Sequence, residues 1–110
     1  MILRIAADLA LALDDSSDFK RFKILVHRPE ADFAVVASHS EKVLSFPDAQ
    51  TAWVNAKGLI ALSGFSEDPV WRESFDGMLL YCKKMGWLSD DGRQFLAHVE
   101  WTSSGPAFPD

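Results

Sequence analysis

From Asp68 to Trp101 the chain reads as a helix with both ends marked, then a turn, then an alternating strand, and this unit restricts the fold to a mixture of α and β. Asp68 is a good N-cap, because its carboxylate can accept hydrogen bonds from the unpaired amides of a first turn. Pro69 follows at the first helical position, where its missing N–H removes no bond. Trp71, Phe75, Met78, Cys82 and Met85 recur at steps of four and three, which lines one face of a helix, and Leu79 widens that stripe. Glu73 and Asp76 stand nearer the front and Lys83 and Lys84 at the back, the polarity that a helix dipole favours. Gly86 suits the left-handed position that ends a helix. Ser89-Asp90-Asp91-Gly92 is a turn signal, after which Phe95, Ala97, Val99 and Trp101 alternate with Leu96, His98 and Glu100, the period of a strand.

The 110 residues suffice for one domain, read here as 1–101 with a flexible tail at 102–110 in which Phe108 is a docking point. A chain of this size buries about two thirds of its unfolded surface, enough for a core without staples. The net charge of −5 disfavours non-specific binding to nucleic acid or an anionic membrane. The densest basic stretch, Lys20-Arg21-Lys23, is short, and its Phe19 and Phe22 read as strand residues rather than as base-stacking platforms. The single Cys excludes an internal disulfide framework, and its place on the apolar helix stripe makes Cys82 a small buried hydrophobe.

The apolar N-terminus, Met1 to Leu13, is too short to span a membrane, and Asp8 spoils it as a signal peptide. It reads as a buried helix with Arg4 and Asp8 one turn apart, a short strand over Met1–Ala6 being the alternative, and the protein reads as cytoplasmic. Phe22, Ile24 and Val26 alternate along a strand that ends near Arg28. After Pro29-Glu30-Ala31-Asp32, Phe33 to Ala37 reads as a second strand, making an antiparallel hairpin. Val43 to Phe46 is a short third strand stopped by Pro47. Residues 48–64 fit either a helix from Asp48 to Gly64 or a hairpin turning at Asn55-Ala56-Lys57-Gly58; the hairpin is favoured because it gives Gly58 a reason to be glycine. The expected fold is α+β: a mostly antiparallel sheet of four to six strands, with the N-terminal helix and the capped helix, about 68–86, packed on one face.

No Gly-rich phosphate loop, nucleophile elbow or His-Glu-x-x-His metal motif occurs. What remains is histidine near glutamate: His98 with Glu100, His39 with Glu41, and His27 with Glu30. On a strand, residues two apart face the same side, so His98 and Glu100 would stand together. A carboxylate can tune a histidine as a general base, and two imidazoles with a carboxylate can hold a divalent metal. His98, Glu100 and His39 are therefore the candidate catalytic residues, with no cofactor implied and the metal undetermined. The plainer account is an ordinary exposed pair on the wet face of a sheet. Trp71 and Trp101 fall on inward faces, whereas Trp87 follows the helix end, and Leu80 lies off the stripe, where Tyr81 and Val70 extend it into an apolar patch. Leu80 and Trp87 are thus the candidate partner-binding residues. The expected function is a small acidic module that binds a protein partner or a second copy of itself. The alternative is a small enzyme or ligand-binding protein with a His–Glu site beside an aromatic pocket.

Overall fold

The computed structural model describes residues 1–102. Phe108 and the rest of the expected tail, 103–110, lie outside the described residues.

The core is a six-stranded sheet in the order β2-β1-β3-β6-β5-β4, built from β1 (Ile2–Ile5), β2 (Leu11–Asp14), β3 (Lys23–Val26), β4 (Leu44–Ser45), β5 (Thr51–Asn55) and β6 (Gln94–Trp101). Three helices accompany it: α1 (Phe33–His39), α2 (Ala56–Ser63) and α3 (Pro69–Met85). The α+β class is as expected, but the sheet is mixed rather than mostly antiparallel. β1 runs parallel to β3, and β3 runs parallel to β6, while the β1–β2, β5–β6 and β4–β5 pairs are antiparallel. Helix α2 packs against both β2 and β5, which stand near opposite ends of the strand order, so the sheet curls around it.

Alternation decides what each strand buries. Leu3, Ile5, Ile24, Val26, Ala52, Val54, Phe95, Ala97 and Val99 face inward and are buried. Helices α1 and α3 rest on this face through Phe33 against Trp101 and Phe75 against Phe95, both ring pairs meeting edge to face. The opposite face carries Arg4, Lys23, Leu25, His98 and Glu100, none of them buried.

The N-terminus is not a helix. Met1–Leu13 holds β1, a reversal and most of β2, and the reversal is closed by Leu9 N donating to Ala6 O and Ala6 N to Ala10 O. Arg4 consequently reaches across the hairpin to Asp14, Nε to Oδ2 2.7 Å, rather than one helical turn to Asp8. The second correction is Phe33–Ala37, which forms α1 rather than a strand. Pro29 opens a 3-10 turn at Glu30–Asp32 that runs into the helix, and burial of Val36 against the core outweighs the β preference of two adjacent valines. Residues 48–64 divide between the two readings: β5 takes the first part and α2 the second. Gly58 is the first-turn residue whose amide caps on Asn55 Oδ1 at 2.8 Å, and a Cβ there would stand 2.9 Å from the Lys42 carbonyl oxygen. Phe19 and Phe22 precede β3 in the loop that joins it to β2 and pack edge to face on Trp71 and Phe95.

The ends of helix α3 are as its sequence predicts, although no acidic residue falls in its first turn. Asp68 Oδ1 accepts from the amides of Val70 and Trp71, Pro69 starts the helix, and Gly86 ends it at φ 80°. Trp71, Phe75, Met78 and Cys82 are buried; Met85, placed on the same stripe by spacing, is the last residue of the helix and 45% exposed. The buried indole of Trp71 keeps its polar edge satisfied, its Nε1 donating to Ser16 O at 2.8 Å.

Candidate functional site

His98 lies on the outer face of β6, opposite Lys23 of β3 on one side and Thr51 of β5 on the other. Glu100 shares that face, but its carboxylate is engaged by Lys23, Nζ to Oε1 3.1 Å, and no hydrogen bond joins it to His98. His27 follows the end of β3, displaced from His98 by about four residues along the strands, or roughly 13 Å. Its Nδ1 is buried without a hydrogen-bond partner. His39 is the last residue of α1 and exposed, and Glu41 follows it in a turn. The three imidazoles therefore stand on three separate segments, β6, the end of α1 and the loop after β3, and among the described residues no group of three or more His, Cys, Asp or Glu could hold a metal ion.

Trp87 and its surroundings form the more developed surface. After Gly86 the chain turns so that Trp87 N donates to Cys82 O and Leu96 N donates to Trp87 O, both at 2.8 Å, pinning the segment between α3 and β6. Tyr81 meets Trp87 edge to face, with centroids 6.1 Å apart, and the two are 53% and 41% exposed. Val70, Ser74, Gly77, Tyr81 and Met85 run along one outward face of α3 at near-helical spacing. Leu80, 67% exposed, stands on the neighbouring face of the helix.

Three clefts adjoin Tyr81 and Trp87. One of about 580 Å³ lies between Phe19–Lys20 and Ser74, Gly77 and Tyr81, with the absent side chain of Gly77 leaving its floor low. A narrow one of about 80 Å³ runs between Arg21, Phe22, Tyr81 and Trp87. The third, about 270 Å³, is bounded by Phe22, Thr51, Trp87, Leu96 and His98. His98 is thus brought beside Trp87, whereas Leu80 lines none of the three. The charged residues on their walls are Lys20 and Arg21, with no carboxylate. Sequence reasoning did not assign Phe19, Lys20, Phe22 and Leu96 to this surface; the interleaved Phe-Lys-Arg-Phe was the visible signal, but its place beside α3 depends on tertiary packing. Cys82 sits behind the surface, 6% exposed, and burial raises its thiol pKa.

No protein-family model, curated protein or solved structure matches this chain. Among the described residues, no helix is long and apolar enough to cross a membrane.

Proposed function

We propose that the protein is a binding module that seats an acidic, apolar-anchored segment of a partner protein against Tyr81 and Trp87. The observation that carries this reading is a pair of exposed, mutually packed aromatic rings bordered by clefts whose charged walls are only cationic, in a chain of net charge −5. Exposed aromatics fixed by packing lose little entropy on binding and dominate the energetics of interfaces. Lys20 and Arg21 select for acidic residues beside the anchor and steer encounter. Leu80 extends the apolar surface on the neighbouring face of α3.

Affinity capture with the wild type and with the Tyr81→Ala, Trp87→Ala and Lys20→Glu/Arg21→Glu variants tests the reading. The expected result is a bound protein whose contacting segment is acidic, and which all three variants lose. A partner retained by all three contradicts it. Size-exclusion with light scattering adds a second arm: a dimer dissolved by Trp87→Ala would place a second copy on this surface instead. For the enzyme reading, the pairing of Glu100 with Lys23 leaves His98 without its expected carboxylate.

A further inference from the structure

A separate cleft of about 530 Å³ opens between the start of α2, the Arg72–Leu79 stretch of α3 and the turn before β6. Its cationic walls are Lys57, Arg72 and Arg93, one from each of these three segments, and its apolar walls include Ile60 and Leu79. The arrangement is held by backbone: Ala56 N donates to Arg93 O at 2.9 Å, fixing the turn to the first residue of α2. Arg72 is steadied by a bond from Nη1 to Ser66 O at 3.2 Å.

The charge pattern runs against the chain's composition. Asp and Glu outnumber Lys and Arg by 16 to 11, and the described ion pairs use Arg4, Lys23, Arg28 and the N-terminal amine. Lys57, Arg72 and Arg93 make none of them. They converge on one cleft with a single carboxylate, Asp76, on its wall. Three cations against one carboxylate on the wall, with Asp91 beside Arg93 at the cleft's edge, leave a net positive cleft, and a bound anion relieves the remaining repulsion. The helix N-terminus is not what draws it, since Asn55 already occupies the Gly58 amide.

We propose that this cleft binds a small organic phosphate. Two guanidinium groups and an ammonium match a phosphate dianion, to which arginine presents parallel N–H donors. Ile60 and Leu79 receive the apolar body attached to it, and the cleft lies within the usual size range of small-molecule sites. This site is distinct from the Tyr81–Trp87 surface and does not depend on the reading of that surface.

The test is a titration of the ¹⁵N-labelled protein, followed by amide NMR, with inorganic pyrophosphate, citrate and sodium chloride at matched ionic strength. Pyrophosphate should move the amides of Lys57, Gly92 and Arg93 saturably. The exposed double variant Lys57→Ala/Arg93→Ala should weaken it at least about tenfold, with the remaining spectrum reporting that the fold is kept. Asp76→Asn should tighten it about threefold by removing the opposing carboxylate. Shifts equalled by chloride or by citrate, or unchanged in the double variant, would overturn the proposal.

Discussion

Tyr81 and Trp87 meet edge to face at 6.1 Å on the surface of the molecule, each holding the other's ring in place while leaving it exposed. The backbone bonds of Trp87 to Cys82 and Leu96 fix the second ring from behind. Burying such a pair against a partner would gain apolar area with little further ordering, which is why the proposed binding is placed here rather than on the His98–Glu100 strand face.

Behind that surface, Phe75 is the keystone of the helix–sheet contact: fully buried, stacked on Trp71 at 5.2 Å and edge-on to Phe95 at 6.2 Å. Phe75→Ala should lower stability by about 3–5 kcal/mol, measured as the shift in a urea unfolding curve. A loss below about 1 kcal/mol would mean that α3 does not depend on this packing.

Two helical glycines should respond in opposite senses to the same substitution. At Gly58 an added methyl would stand 2.9 Å from the Lys42 carbonyl oxygen, so Gly58→Ala should destabilise by about 1–3 kcal/mol despite alanine's better helix propensity. At Gly77 nothing lies within 4 Å, and Gly77→Ala should stabilise by about 0.5–1 kcal/mol. Thermal melts of the two variants give the signs directly; equal signs would contradict the packing of α2 on residue 42.

Burial holds the Cys82 thiol above its ordinary pKa, which keeps it protonated and out of reach. At pH 8 the native protein should react with a disulfide reagent far more slowly than the same protein in denaturant. Equal rates would show that the apolar stripe of α3 opens freely.

Asp48 carries a pH dependence. The amide of Gln50, and then the amide and hydroxyl of Thr51, hold its carboxyl below the ordinary 3.8. A carboxylate depressed in the folded state adds stability that is present above the unfolded value and is lost as pH falls through the folded one. Asp48→Ala should therefore destabilise at pH 7, and its deficit against the wild type should shrink once the pH is taken well below 3.8. A deficit independent of pH in urea titrations would remove the carboxylate from the account.

How much of this was legible in the chain depends on how local each signal is. Helix α3 and strand β6 were readable because Asp68, Pro69 and Gly86 mark ends by their own chemistry, and because Phe95, Ala97, Val99 and Trp101 recur at every second position, with only Leu96 apolar between them. The N-terminal hairpin was not: its strands are four residues each, and its turn lacks Gly, Pro and Asn, placing Leu9 at φ 73° instead. Helix α1 hid behind adjacent valines whose burial, not propensity, sets their structure. The parallel pairing of β1, β3 and β6 joins residues far apart in the chain, as Lys23 and His98 are, and leaves no local mark. The same holds for the sites. Trp87 stood out by following a helix end, but its neighbours Phe19, Lys20 and Phe22 come from a loop more than sixty residues earlier. The expected partner of His98 was lost to Lys23 for the same reason.

Trp87 is the centre of the proposed binding surface, and the measurement that bears hardest on it is the affinity of a captured partner for the wild type and for Trp87→Ala. Because the indole is only 41% exposed and packs on Tyr81, the substitution should lower stability by about 2 kcal/mol, so the comparison is made on protein whose unfolding curve still shows a folded baseline. Affinity should fall at least about tenfold in a Trp87→Ala protein that is still folded. Unchanged affinity in a folded Trp87→Ala protein would contradict that proposal.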